Sequence, residues 1–223
     1  HPEWDGRGIV VAVLDTGVDM GIPGLLTTST GETKVIVARD FSGQGEVILE
    51  DPEVEETPEG SVLRADDHWV TGFEALLPGE GEAVWKLGAL RESSLKNGAV
   101  RDLNNNGSTE DVFSILAHPG ENGQWVAHVD TDGDHDVSDE KPIHSYALHQ
   151  ESFVLRGGDP AKKTPQLHMA LHIDDDGSRA EVHFDDGGHG THVAGIATGY
   201  RLQNKDGFHG IAPGAKVMSL KIG

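Results

Sequence analysis

Residues 8–17 read GIVVAVLDTG, an apolar run that ends on Asp15 and turns at Thr16 and Gly17. Continuous β-branched residues without alternation are typical of a strand that is buried on both faces of a parallel sheet. In open α/β sheets, ligands and catalytic groups gather just beyond the carboxyl ends of the strands. We therefore expect Asp15 to lie where such a fold carries out its chemistry.

The carboxyl-terminal part of the sequence again shows a pattern typical of an α/β fold. Residues 188–198 read GHGTHVAGIAT, which predicts a helix of small residues that ends near Gly199. A turn at 210–215, GIAPGA, then precedes a further strand at 216–222, KVMSLKI. With a short strand predicted at 34–38, residues 1–43 and 186–223 are expected to form one α/β domain.

The intervening residues 44–185 follow a different pattern. An acidic stretch at 46–59 marks the change, and alternating apolar segments then predict antiparallel strands at 111–117, 124–130, 166–173 and 180–184. Turns at 118–123 and 174–177 carry the Asx-Gly chemistry of hairpins. The predicted fold is thus α/β, a parallel sheet flanked by helices and interrupted by a β-rich antiparallel insertion.

Composition excludes several classes of function. The formal net charge of −21 would repel nucleic acid and anionic membrane surfaces, so neither is expected as a partner. Without cysteine the chain forms no disulfide, thiolate zinc site or cysteine nucleophile. No apolar run reaches the roughly 18 residues of a membrane span. Because residues 1–8, HPEWDGRG, lack an initiator methionine and a signal-peptide layout, we expect a piece of a longer protein.

A strand-end aspartate and a helix-opening histidine are two of the three groups that acyl transfer to a serine requires. The carboxylate fixes the imidazole tautomer and stabilises the imidazolium, while the other ring nitrogen takes the proton of the nucleophile. Asp15 and His189 suit these two roles. Gly17, Gly188 and Gly190 would allow the tight turn and leave the imidazole uncrowded.

Three motifs in this order, DTGVD at 15–19, GHGTHVAG at 188–195 and GIAPGA at 210–215, resemble the successive landmarks of the subtilisin-like serine peptidases (subtilases, peptidase family S8). The resemblance implies a subtilisin-like sheet, Asp15 as the orienting aspartate and His189 as general base and acid, with His192 structural. It also implies a peptide or protein substrate, no required cofactor, and an extracellular location from the habit of the family.

The chain departs from the family pattern in two ways. The family places its nucleophile in a G-T-S-x-A helix start, and no serine here has that context; Ser29, Ser42 and Ser219 come nearest and fail. We therefore expect the fold to be cut before its serine, which a C-terminal remainder of the same fold would carry. Asp15 and His189 are also 174 residues apart. That long insertion resembles the tripeptidyl-peptidase II sub-family, which would imply a cytoplasmic location.

Less specific features leave alternatives open. The loops at 102–107, 130–136 and 174–177 are either polar turns or structural calcium sites, since Phe113 and Lys141 stand where the first two would need the bidentate Glu of an EF-hand. Scattered histidines without an HExxH helix disfavour zinc. The alternative function is an inactive fragment or pseudopeptidase whose insertion binds calcium or a protein partner.

Four other side chains receive structural interpretations from the sequence. Arg91 and Glu92 are expected on the exposed side of a short helix, because Leu87 and Leu95 flank them. Trp4 and Trp125 are expected to be core anchors beside strands.

Overall fold

A computed structural model describes residues 4–58, 60–76, 84–95, 97–120, 122–157 and 166–223. In chain order the strands and α-helices of these residues are β1 (Val10–Asp15), β2 (Val35–Asp40), β3 (Glu46–Ile48), β4 (Glu53–Thr57), β5 (Gly60–Ala65), β6 (His68–Val70), β7 (Lys86–Arg91), β8 (Val112–Pro119), β9 (Trp125–Val129), β10 (Ile143–His144), α1 (Tyr146–His149), β11 (Ala170–Ile173), β12 (Arg179–His183), α2 (His189–Thr198) and β13 (Lys216–Lys221). Within the described residues, no helix has the length and apolar character needed to cross a membrane.

The predicted parallel sheet is confirmed, in the order β1-β13-β2, with α2 packed against β1 and β13. The register pairs Val10 with Lys216 and Asp15 with Lys221. The expected burial of β1 on both faces is wrong: Val10 and Leu14 are 47% and 57% exposed. β1 lies at the edge of this sheet, and none of the described residues covers the face that carries these two side chains.

The insertion is antiparallel, as predicted. One sheet has the order β10-β9-β8-β7, a second β11-β12-β3 and a third β4-β5-β6. The β8-β9 and β11-β12 hairpins form where the turn chemistry predicts them. Sequence analysis missed β4 to β6, because the strand-forming residues of β4 are mostly charged and exposed, so no apolar alternation marks them.

The insertion packs directly onto the parallel sheet. Tyr146 of α1 is buried and its hydroxyl donates to the Val35 carbonyl of β2 at 2.9 Å. Tyr146 and Ala170 join one apolar core with Val13 and Val217. A second, larger core lies between the two insertion sheets that contain β8 and β12. The proposed boundaries at residues 43 and 185 stay a prediction.

Helix α2 is held at its carboxyl end by a buried lysine. Lys34 Nζ donates to the carbonyl oxygens of Thr198, Pro213 and Ala215 at 2.6, 2.7 and 3.0 Å. The last carbonyls of a helix lack partners within the helix, so one ammonium group satisfies both the helix end and the following turn. This contact fixes α2, and hence His189, relative to β2.

Two structural interpretations from the sequence are wrong and one is confirmed. Glu92 is 1% exposed and accepts the Leu103 N–H at 2.6 Å, because its carboxylate closes a loop inward and does not face solvent. Arg91 ends strand β7. Trp4 is 75% exposed and is therefore not a core anchor. Trp125 packs against the insertion core, and its indole N–H donates to the Asp175 carbonyl at 3.1 Å.

Candidate active site

The structure brings Asp15 and His189 into direct contact. Asp15 is the last residue of β1 and His189 the first residue of α2. His189 Nδ1 lies 2.7 Å from Asp15 Oδ1 and 2.9 Å from Oδ2. The His189 side chain is 69% exposed, and its Nε2 has no hydrogen-bond partner among the described residues. One ring nitrogen is thus held by a carboxylate while the other is open to a reacting group.

Two glycines allow the turn after β1 and the start of α2 to touch. Gly17 has φ +109°, and a Cβ there would lie 2.4 Å from the Phe184 carbonyl oxygen. A Cβ on Gly190 would lie 2.0 Å from the Gly17 carbonyl oxygen. Both distances are far inside van der Waals contact, so these positions require glycine for the Asp15–His189 approach.

Asp15 is held in its ionised form. Its carboxylate is partly buried, which by itself raises the pKa, but the hydrogen bonds from His189 and from the Thr16 backbone N–H outweigh burial. The net result is a pKa below the usual aspartate value. An ionised Asp15 keeps the proton of the His189 imidazole on Nδ1, which leaves the Nε2 lone pair available as a base.

Asp185, which no sequence motif singles out, joins the two elements that carry Asp15 and His189. Its carboxylate accepts the Thr16 hydroxyl at 2.8 Å and the backbone N–H of Gly188 at 3.1 Å. It also accepts the backbone N–H of Thr191 at 3.2 Å and the Thr191 hydroxyl. Asp185 is 3% exposed. A single buried carboxylate therefore ties the turn after Asp15 to the first turn of the helix that carries His189.

The Thr16 hydroxyl completes this link. It donates to Asp185 and accepts the Gly190 backbone N–H at 3.0 Å. The Asp186 backbone N–H donates to the Thr16 carbonyl at 2.9 Å. Only the spacing of four residues before His189 could have pointed to Asp185, and spacing alone does not separate it from its neighbour Asp186.

A second imidazole, His183, lies behind the Asp15 turn and is fully enclosed. Its Nε2 is 2.8 Å from the Ser219 hydroxyl, and both residues are buried. The pKa of His183 is lowered to about 3, chiefly by burial; the Asp40 carboxylate opposes this shift and the Lys221 ammonium adds to it. The Lys221 ammonium lies 3.4 Å from the centre of the Phe184 ring. This buried group supports the sheet and has no path to a substrate.

The serines singled out from the sequence are all engaged elsewhere. Ser29 donates to Asp5 at 2.5 Å, Ser42 donates to Asp40, and Ser219 contacts His183. Within the described part of the chain, no serine hydroxyl makes a hydrogen bond to His189. That the serine partner of Asp15 and His189 lies outside residues 1–223 stays a prediction.

The three candidate calcium loops differ in geometry. In the second loop, oxygens of Asp130, Asp132 and Asp134 all lie within 4.8 Å of one another. In the first loop, the Asp102 carboxylate accepts the N–H groups of Asn106 and Gly107 at 3.1 and 2.8 Å, so both of its oxygens already have backbone partners. In the third loop, the Asp174 carboxylate pairs with Arg179 at 2.9 Å. The second loop fits a hard cation best.

Comparison with known proteins agrees with the site. Residues 6–223 match the Subtilase family (Peptidase_S8). Pyrolysin of Pyrococcus furiosus is 28% identical over 98% of this chain and 18% of its own length. Tripeptidyl-peptidase 2 of Oryza sativa and that of Caenorhabditis elegans are each 26% identical over 100% of this chain and 20% of their own length. The chain thus spans about a fifth of these relatives.

The fold has a counterpart among solved structures. The crystal structure of tripeptidyl peptidase 2 superposes on this chain with a TM-score of 0.71 at 23% identity. The superposition covers 100% of this chain and 21% of the chain in the crystal structure. This similarity shows that a subtilisin-like parallel sheet with a long antiparallel insertion is an established architecture. Because the family match extends over nearly all of the described residues, the chain belongs to the subtilase family of serine peptidases.

Proposed function

We propose that this chain supplies two members of the Asp-His-Ser triad of a serine peptidase that hydrolyses peptide bonds. The observation that supports this proposal most directly is the contact of Asp15 with Nδ1 of His189, whose Nε2 is open to solvent. This is the arrangement in which histidine accepts the proton of a nucleophile while a carboxylate holds the ring. The intact, exposed pair argues against the alternative of an inactive fragment.

The proposed mechanism gives each group one task. His189 Nε2 takes the hydroxyl proton of the serine as the serine attacks the peptide carbonyl, and then passes that proton to the leaving amine. The ionised Asp15 stabilises the imidazolium that forms between these two steps. Asp185 acts as a positioning residue, because it contacts the elements that carry Asp15 and His189 and neither of the reacting groups.

The serine itself is proposed to come from a part of the fold outside residues 1–223. The exposed apolar face of β1, which carries Val10 and Leu14 beside the site, offers a surface on which that part could pack. The substrate class is a peptide or protein. Both internal cleavage and release of tripeptides are compatible with Asp15 and His189, and the names of the relatives favour the tripeptidyl activity.

The test uses the complete enzyme and two readouts. Asp15→Asn should lower kcat by about 10⁴-fold, because the imidazole then adopts the wrong tautomer. A fluorophosphonate should label a serine outside residues 1–223. Asp51→Asn is the matched control, since Asp51 is an exposed aspartate far along the chain from Asp15, and its ion pair is with Lys86. Near-normal turnover of Asp15→Asn, or label on Ser219, would refute the proposed triad.

Structural calcium in the 130–136 loop is a separate and finer proposal. Burial raises the pKa of Asp130, and Asp134 adds to this while the N–H groups of Gly133 and His135 oppose it. A bound cation would neutralise the converging carboxylates. Exhaustive chelation should then lower the melting temperature of the complete protein, and Asp132→Asn should remove that shift. An unchanged melting temperature after chelation would favour a plain polar turn.

A further inference from the structure

Two histidines and a glutamate converge in residues 143–151, in the insertion and apart from the Asp15–His189 pair. One candidate ligand atom from each of His144, His149 and Glu151 lies within 4.8 Å of the other two. His144 Nδ1 is 3.1 Å from Glu151 Oε2, and the two imidazole rings stack with centroids 4.1 Å apart. Sequence analysis did not consider this set, because its spacing matches no familiar zinc motif.

The backbone of this segment creates the convergence. Strand β10 ends at His144, and the single turn of α1 returns His149 to the same side. Gln150 then adopts a left-handed conformation, with φ 50° and ψ 37°, and its N–H donates to the Tyr146 carbonyl at 2.7 Å. This reversal directs Glu151 back towards His144. The three side chains therefore meet because the local backbone conformation brings them together, and not because long flexible side chains extend towards one another.

The segment is anchored at the start of the helical turn. The Ser145 hydroxyl accepts the Ile173 N–H of β11 at 3.0 Å, and Tyr146 is bound to β2 through the Val35 carbonyl. These two contacts hold the segment that carries the three candidate ligands at the junction of the insertion with the parallel sheet. A metal site gains affinity when its ligands are held before the metal arrives.

The ligand chemistry selects the class of metal. Two imidazoles and one carboxylate suit Zn²⁺ and neighbouring divalent transition metals, whereas the all-oxygen set in the 130–136 loop suits Ca²⁺. Ligands at about 2.0–2.1 Å from a tetrahedral Zn²⁺ lie roughly 3.4 Å from one another. The separation of 3.1 Å between His144 Nδ1 and Glu151 Oε2 is close to that value. Partial exposure of these two side chains, 26% and 47%, leaves a path for the ion and for water as a further ligand.

We propose that His144, His149 and Glu151 form a binding site for Zn²⁺ or a similar divalent transition metal ion. The ion replaces the proton shared between His144 and Glu151 and draws His149 into the same coordination sphere. Its effect is structural and local: it links the end of β10, which carries His144, to His149 and Glu151 at and after the end of α1. This site is independent of the peptide-bond chemistry proposed above.

The first test is a calorimetric titration of the chelator-treated complete protein with ZnCl₂, in excess Ca²⁺ to fill all-oxygen sites. The double variant His144→Gln/His149→Gln should bind one Zn²⁺ fewer per chain, or bind it at least about tenfold more weakly. His209→Gln is the matched control, because His209 is also an exposed imidazole stacked on a ring, that of Tyr200. Equal stoichiometry and affinity in the double variant would overturn the proposal.

A second measurement needs no variant and so does not depend on the folding of one. Diethylpyrocarbonate modifies accessible histidines, and mass spectrometry reports the rate at each position. Zn²⁺ should slow modification of His144 and His149 by at least about tenfold, because the metal occupies the reactive nitrogens, and should leave His209 unchanged. Equal rates with and without Zn²⁺ at all three positions would also overturn the proposal.

Discussion

His183 and His189 lie six residues apart, and each has one close polar partner, yet their surroundings are opposite. His183 has a serine hydroxyl 2.8 Å from Nε2, the contact that a hydrolase needs, but both groups are sealed inside the protein. His189 has a carboxylate at Nδ1 and an open Nε2. The comparison shows that a hydrogen-bonded serine and histidine do not make an active site without access for the substrate.

The backbone between the two histidines produces this difference. Strand β12 ends at His183 inside the core, and Phe184 and Asp185 are still buried. Gly187 and Gly188 then have φ values of +106° and +83°, which bring the chain to the surface at the first residue of α2. A buried packing histidine and an exposed histidine are therefore separated by one short connection.

The largest expected effect comes from replacing His189, compared with replacing His183. In the complete enzyme, His189→Ala should lower kcat by about 10⁶-fold, because the serine loses its base. His183→Gln should keep kcat within about threefold wherever it folds, since no substrate reaches that position. Steady-state kinetics of both variants, with folded fraction measured by circular dichroism, provides the check. Equal loss of kcat in both folded variants would contradict the assignment of His189 alone.

The next effect tests Asp185 against its neighbour. Asp185→Asn should lower kcat by about 10- to 100-fold with a small change in KM, because Thr16 and the first turn of α2 lose their common acceptor. Asp186→Asn is the matched control: that carboxylate is equally buried but accepts Val100 N–H and Gln44.

Asp186→Asn should lower stability and leave kcat nearly unchanged. The two variants therefore separate positioning of the Asp15–His189 pair from general support of the fold, provided that kcat is measured on the folded fraction. Similar kcat values for Asp185→Asn and Asp186→Asn would show that Asp185 has no special role.

A smaller effect concerns acid stability. Burial lowers the pKa of His183 to about 3. In the unfolded chain the same imidazole binds a proton near pH 6.5, whereas in the folded chain it stays neutral at that pH. The contribution of His183 to the free energy of unfolding is therefore complete above about pH 6.5. It is lost as the pH falls towards 3, and the free energy of unfolding then decreases by at most about 1.4 kcal/mol per pH unit. His183→Gln should flatten this slope in melting curves recorded between pH 7 and 5. An identical pH dependence in the variant would contradict the buried, neutral state of His183.

The smallest effect concerns Ser219. Ser219→Ala removes one buried hydrogen bond and should cost about 1 kcal/mol of stability. Fluorophosphonate labelling and kcat should both stay unchanged, which melting curves and activity assays on the same preparation would show. Loss of labelling in this variant would show that Ser219 and His183 are the reactive pair.

Sequence patterns were sufficient for the elements that carry Asp15 and His189. The apolar run before Asp15 and the small residues after His189 predict β1 and α2, because local chain chemistry determines both. The β8-β9 and β11-β12 hairpins follow equally from alternation and turn residues, as at Asp174 to Gly177. Local periodicity is the signal in each of these cases.

Features that depend on distant contacts were not predictable in this way. Asp185 gains its role because Thr16, 169 residues earlier, folds onto it. Glu92 is buried because the loop around Leu103 closes over its carboxylate. The exposed face of β1 escaped prediction, because an apolar run does not reveal which neighbours the strand has. His144 and Glu151 meet through the left-handed Gln150, which no sequence period encodes.

The open edge of β1 has a consequence for handling the protein. A strand at the edge of a sheet presents a row of backbone N–H and C=O groups to which another strand can add. Here that row lies beside the exposed Val10 and Leu14, and the strand has no proline and a single charge, at its last residue. A preparation of residues 1–223 alone should therefore aggregate edge to edge, and Asp15, the last residue of that strand, would be enclosed in the aggregate.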